Sequence, residues 1–304
     1  MRRSKWPLRR IQQVLILFRN GLHLALRSRF GRLWMRIGHA AKGALYGLIG
    51  LLTLRSLGNA AREIGGSKAV MDILDDRFAG SFILTFLAFG LLGYVLWRIV
   101  QAVLDPSHDD SLSLHSLVQR LGYLCSGLTY LGVAYTAGQV AIGLAIDFDD
   151  TVEDATAVLF DWPIGPWVVL IAGLFVIGIG CAYIYGAFSG SFISRFQTEF
   201  HRTVKQWTVL LGKIGFTARG VGFILVGSYL VLAAFHIENN LAGGLGETLA
   251  QLGEQRFGAL WLSAIALGFI AYATYMVISA FYRKFPQHHS KNTKKAAKIR
   301  LSDR

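Results

Sequence analysis

Arg36-Ile37-Gly38-His39-Ala40-Ala41-Lys42-Gly43-Ala44-Leu45-Tyr46-Gly47-Leu48-Ile49-Gly50 decides the fold, because the chain repeats it. The second copy is Arg120-Leu121-Gly122-Tyr123-Leu124-Cys125-Ser126-Gly127-Leu128-Thr129-Tyr130-Leu131-Gly132-Val133-Ala134. The third is Lys213-Ile214-Gly215-Phe216-Thr217-Ala218-Arg219-Gly220-Val221-Gly222-Phe223-Ile224-Leu225-Val226-Gly227. Self-similarity at a long period marks a protein built from one repeated supersecondary unit. Each copy opens a stretch of about 20 mostly apolar residues, the length that crosses the hydrocarbon core as a helix.

A second word recurs between these copies. Gly90-Leu91-Leu92-Gly93-Tyr94-Val95-Leu96-Trp97 matches Gly268-Phe269-Ile270-Ala271-Tyr272-Ala273-Thr274-Tyr275, and a weaker echo falls at Ala182-Tyr183. The unit is therefore a pair of helices. Six spans are expected, at 38–57, 81–103, 122–145, 165–188, 214–235 and 259–281. They group as repeats 36–106, 118–192 and 211–284, preceded by a basic segment 1–35 and followed by a basic tail 285–304. The predicted fold class is an all-α membrane protein with six transmembrane helices, arranged as three parallel two-helix repeats. Two spans per unit return the chain to one side, so the repeats share an orientation, and a pseudo-threefold bundle is the simplest arrangement.

Composition agrees. Only 16% of the 304 residues are charged and the mean hydropathy is +0.45, whereas soluble domains carry about 25% charged residues. The net charge of +13 has a topological source. The N-terminal segment, the second and fourth inter-span segments and the tail carry 26 of the 31 lysines and arginines, and the alternate segments carry five. The positive-inside rule then places both termini in the cytoplasm. No nucleic-acid-binding motif accompanies the charge, so nucleic acid is not expected as a partner. The longest apolar run near the start, Val14 to Phe18, is too short for the core of a cleavable signal peptide.

These words resemble a bacterial membrane family known as domain of unknown function 1206. The resemblance rests on Ala41-Lys42-Gly43, Ala218-Arg219-Gly220 and Gly90-Leu91-Leu92-Gly93-Tyr94-Val95-Leu96-Trp97-Arg98, and covers about 36–283. It implies three tandem copies of a two-helix unit in the bacterial plasma membrane, and no activity. The middle copy departs from the pattern, with Ser126 in the place of the basic residue.

Small residues allow helix backbones to approach closely in lipid. Gly38, Gly43 and Gly50, Gly122 and Gly127, and Gly215, Gly220 and Gly227 are accordingly expected at helix contacts. Lys42 and Arg219 fall about one turn inside their spans, where a long stem can snorkel to the headgroups. The alternative is a cytoplasmic basic ring of Arg36, Lys42, Arg120, Lys213 and Arg219 that holds anionic phospholipid or an acidic solute.

No motif for catalysis, cofactor or metal is present. The segment 147–154 is acidic but lacks the spacing and glycine of a calcium loop, and reads as a solvated outer loop. Cys125 and Cys181 lie in apolar runs and read as small buried hydrophobes. No HExxH, GxSxG or P-loop word occurs. No paired carboxylates lie deep in the spans, which lowers the case for proton-coupled transport and for hydrolytic catalysis. The residues 8–26 read as an interfacial amphipathic helix. The sequence thus favours a non-enzymatic structural, interaction or lipid-associated role with membrane lipids as partners. A transporter or channel for a small solute, anions included, is the first alternative, and a membrane enzyme the second.

Overall fold

The computed structural model describes residues 28–57, 80–104, 114–144, 150–190, 202–238 and 241–282, with a few residues near and between these runs. All regular elements among them are helical: α1 Arg29–Ser56, α2 Gly80–Leu104, α3 Leu114–Ala141, α4 Asp150–Phe160, α5 Gly165–Ser189, α6 Arg202–His236, α7 Leu245–Gly253 and α8 Gly258–Tyr282. Local chemistry sets several ends. Ser28 caps α1, its hydroxyl accepting from the Gly31 N–H at 2.8 Å. Pro166 occupies the first turn of α5, where a missing N–H costs nothing. Gly190 ends that helix with φ 66°, a left-handed value that glycine adopts without strain.

Among the described residues, five helices are long and apolar enough to cross a membrane: Arg29–Ser56, Gly80–Leu104, Gly165–Ser189, Thr203–His236 and Gly258–Tyr282. This is the architecture of a multi-pass membrane protein. α3 has the length, at 28 residues, but not the apolarity. Ser116, Gln119 and Arg120 crowd its start, and Ser126, Thr129, Thr136 and Gln139 follow. The first helix of each repeat begins earlier than the apolar run alone indicates, because it continues backwards through basic residues such as Arg29, Arg32, Arg120 and Lys205. The acidic segment also differs from its reading as a loop: its later part is helical, in α4. The expected interfacial helix at 8–26 lies almost wholly outside the described residues, and the tail 285–304 lies entirely outside them.

Helices pack in a cyclic order. The second helix of each repeat lies against the first helix of the next: α2 on α3, α5 on α6, and α8 on α1. Within repeats one and three the pair also closes, α1 on α2 and α6 on α8. The closure is a knob in a notch. A Cβ placed on Gly90 would lie 2.5 Å from the Ala41 Cβ, and one on Gly268 would strike the Ala218 Cβ. Gly38 abuts the Tyr94 backbone, and Gly215 would bring a Cβ to 2.5 Å from the Tyr272 Cα.

The middle repeat does not close. Among the described residues α3 and α5 share no extensive packing contact. The sequence supplies the reason. Knob Ala41 or Ala218 becomes Cys125, and notch Gly90 or Gly268 becomes Ile179. Both changes add bulk where small residues would let the backbones meet. Gly122, expected at a helix contact, consequently has nothing within 4 Å of an added Cβ, and Gly178 is equally open. Cys125 and Cys181 are exposed rather than buried. α5 buries 17% of its apolar stretch, against 39–61% for the other four apolar helices.

The remaining glycines named from the sequence do meet neighbouring helices. An added Cβ would approach Ala273 O at 3.0 Å from Gly43, Ala266 O at 2.8 Å from Gly50, Gly180 O at 2.7 Å from Gly220 and Gly173 O at 2.7 Å from Gly227. At Gly127 the approach is looser, 3.4 Å from the Arg98 Cβ.

Candidate functional site

The repeat places equivalent side chains around one interior point. Lys42 and Arg219 occupy the same position of repeats one and three, with Ser126 between them in sequence. One turn on stand Tyr46, Tyr130 and Phe223. The second helices contribute Tyr94, Tyr183 and Tyr272. An i, i+4 spacing puts the first two sets on one helix face, and the cyclic packing turns those faces inward.

Lys42 is 0% exposed and Arg219 3% exposed. Lys42 Nζ donates to the Tyr94 hydroxyl at 2.7 Å and lies 4.2 Å from the centre of that ring and 4.3 Å from that of Tyr130. Tyr272 is 5.7 Å away. Arg219 Nη1 donates to the Tyr272 hydroxyl, also at 2.7 Å. Its guanidinium lies 4.8 Å from the Tyr183 ring, 5.1 Å from Tyr46 and Phe223, 5.3 Å from Tyr272 and 5.7 Å from Tyr130. The Tyr130 hydroxyl donates to that of Tyr46 at 3.1 Å, and the Tyr94 and Tyr130 rings meet edge to face at 5.0 Å. Lys42 and Arg219 therefore share the walls of one aromatic cage. Neither reaches back to the surface.

A third cation joins from α2. Arg98 stacks its guanidinium 5.0 Å from the Tyr94 ring and 5.3 Å from Tyr123 of α3. It is in electrostatic reach of Tyr183 and of Arg219. One nitrogen donates to Gln101 Oε1 at 3.1 Å.

Burying such charge is costly: a lysine or arginine at the centre of a membrane helix costs about 2.5–3.5 kcal/mol. A desolvated cation–ring contact returns about 2 kcal/mol, so the surrounding rings offset much of the cost. They do not neutralise it. None of the six long helices contains an Asp or Glu. Three positive charges converge where the helices supply no carboxylate. Donors are also left over. Arg98 Nε, Arg219 Nε and Ser126 Oγ are buried and have no hydrogen-bond partner among the described residues. Buried polar atoms are normally satisfied. The arrangement has the chemistry of an anion receptor: cations, N–H and O–H donors, and a low-dielectric wall that strengthens their attraction.

The structure draws Lys42 and Arg219 together and leaves the rest of the expected basic ring elsewhere. Lys213 is exposed and shares a shallow surface hollow with Lys205. Arg36 and Arg120 are half-buried in the early turns of α1 and α3. Arg98, Ser126 and the tyrosines were not among the expected site residues. Their signal was present in the repeated words, where Tyr46 and Tyr130 recur at one position and Tyr94, Tyr183 and Tyr272 at another.

The fold and the repeated site define the class: an α-helical, multi-pass membrane protein assembled from tandem helix pairs around a shared polar centre. The family described as Domain of Unknown Function (DUF1206) matches the chain three times, over residues 37–105, 121–190 and 214–283, and the chain belongs to that family. It is also similar to the Uncharacterized protein YxxB of Bacillus subtilis (strain 168), 28% identical over 240 residues, which covers 79% of this chain and 85% of that protein. No solved structure matches the chain.

Proposed function

We propose that this protein is a non-enzymatic membrane receptor for an anionic group, a phosphate or carboxylate, held at the bundle centre by Lys42, Arg98 and Arg219. The observation that carries the reading is three converging cations in helices that lack any acid, with the Arg98 and Arg219 Nε atoms unused as donors among the described residues. An anion there would add charge-assisted hydrogen bonds, which contribute about 1.5–3 kcal/mol each. In this reading Arg36, Arg120 and Lys213 form an outer layer that attracts anionic lipid to the cytoplasmic face, at about 1 kcal/mol per residue. The test is native mass spectrometry of the full chain given equal phosphatidylglycerol and phosphatidylcholine. Preferential retention of phosphatidylglycerol is expected, and equal retention of both lipids refutes the reading.

The same proposal takes α3 as a sixth span and the repeats as a pseudo-threefold bundle in a bacterial plasma membrane. Two features support this. Lys42 contacts the tyrosine of its own repeat, Tyr94, the ring of the next repeat, Tyr130, and the tyrosine of the preceding one, Tyr272; Arg219 contacts Tyr272, Tyr46 and Tyr183 in the same order. The buried polar positions of α3 also give it a reason to be less apolar than the others. With 26 basic residues on one side and five on the other, both termini face the cytoplasm. Reporters fused after Arg304 and within 105–113 should then report cytoplasm, and one within 147–161 the outside. Opposite signals at two of these sites would overturn the orientation.

A further inference from the structure

We infer that the open helix pair of the middle repeat, α3 and α5, is a lateral portal through which the headgroup of an anionic phospholipid passes from the bilayer to the cage. The inference rests on the anion-receptor reading and names both the ligand and its route.

The first ground is the break in the ring. Repeats one and three are shut by Ala41 against Gly90 and by Ala218 against Gly268, whereas Cys125 and Ile179 stand at the equivalent places between α3 and α5. Gly122 and Gly178, small residues with nothing within 4 Å of an added Cβ, leave space on both of these helices. The second ground is what lies at that register. Ser126 is a buried hydroxyl without a partner at the position that carries Lys42 and Arg219 in the other copies. Arg98 packs against α3 through Gly127 and Tyr123, and lies in electrostatic reach of Tyr183 on α5 and of Arg219 on α6. Arg98 thus links α3 to the cage through Tyr94, the tyrosine that also holds Lys42. The middle repeat has lost a cation and its tight helix contact at the same register.

The occupant follows from the surroundings. The outer faces of α3 and α5 are apolar and exposed, with Leu121, Leu124 and Leu128 on one and Ile171, Leu174 and Phe175 on the other. In a bilayer these faces meet acyl chains. A molecule entering between them passes an apolar rim and ends at two guanidinium groups and a hydroxyl. An anionic phospholipid has that order of parts, its acyl chains staying in the bilayer while the phosphate reaches Arg98 and Arg219, since guanidinium groups match phosphate geometry. A free inorganic anion has no use for the apolar rim.

The experiment uses the full chain in nanodiscs of phosphatidylethanolamine and phosphatidylglycerol at three to one, with a photoreactive diazirine phosphatidylglycerol as probe and adducts mapped by peptide mass spectrometry. In the parent, adducts are expected on the α3 and α5 segments that contain Ser126 and Gly178. Two variants shut the break by different means. Cys125→Ala with Ile179→Gly restores the knob and notch, and Gly122→Trp plugs the open space. Each should lower the labelling rate at Ser126 about tenfold, within the range over which association rates change among related sites, at an unchanged melting temperature. Unchanged labelling in a variant that folds overturns the portal. Inorganic phosphate added in the aqueous phase should not reduce labelling, and its full competition would assign the cage to a soluble anion instead. The two readings fail separately. If the cage does not hold anions, Lys42→Gln with Arg219→Gln keeps the parent's preference for phosphatidylglycerol over phosphatidylcholine; if only the portal is wrong, that pair lowers the preference while both shut variants retain it.

Discussion

Exchange of Lys42 and Arg219 together for Gln lowers the affinity for phosphatidylglycerol about a hundredfold, because two charge-assisted contacts of about 1.5 kcal/mol each are lost and every 1.4 kcal/mol is tenfold. Gln keeps a side chain of moderate size and a donor, so the cage loses charge more than volume. The matching control is Lys205→Gln with Lys213→Gln on the exposed face of α6. Both pairs remove two positive charges from the same protein. If attraction to the membrane surface were all that mattered, the two double variants would lose lipid equally in a native mass spectrometry titration. The buried pair should lose far more, because its charges act in a low-dielectric interior that salt screens little.

The second large effect separates the repeats. Leu in place of Gly38 or Gly215 is expected to destabilise the bundle by about 3 kcal/mol, the upper end of the usual overpacking cost. At both positions the obstruction is the backbone of the facing tyrosine, which has no rotamer to move aside. That is a large fraction of a total stability of about 5–15 kcal/mol. Gly122→Leu, at the equivalent place in the middle repeat, should stay within about 0.5 kcal/mol of the parent, as surface changes do. Thermal melts in detergent compare the three directly. Equal losses in all three would mean that α3 and α5 close on each other like the other pairs.

The repeat and the helices were legible in the sequence because both are written in small-residue spacing and in apolar runs of fixed length. Gly38 and Gly215 pack as their spacing implies. Gly122 has the same spacing and does not pack, because closure depends on the partner position on the second helix. That dependence was visible as Ile179 at the repeat position of Gly90 and Gly268, but only after the helices were aligned as pairs. The charged half of the site was half legible. Lys42 and Arg219 stood out at a fixed register, yet a long cationic side chain in a span can point either to the headgroups or to the bundle axis, and only tertiary packing decides which. Arg98 lies near the end of its helix, where a basic residue needs no special account. The tyrosines read as packing, since an aromatic ring at helical spacing serves a core and a cation equally well.

The central claim is that an anion sits among Lys42, Arg98 and Arg219. An electron cryomicroscopy map of the full chain in nanodiscs containing phosphatidylglycerol tests it most directly. The account predicts headgroup density within hydrogen-bonding distance of the Arg98 and Arg219 guanidinium groups and of Ser126, continuous with acyl-chain density between α3 and α5. A map that shows these side chains closed on one another, with lipid density only around Arg36, Arg120 and Lys213 at the surface, would contradict it.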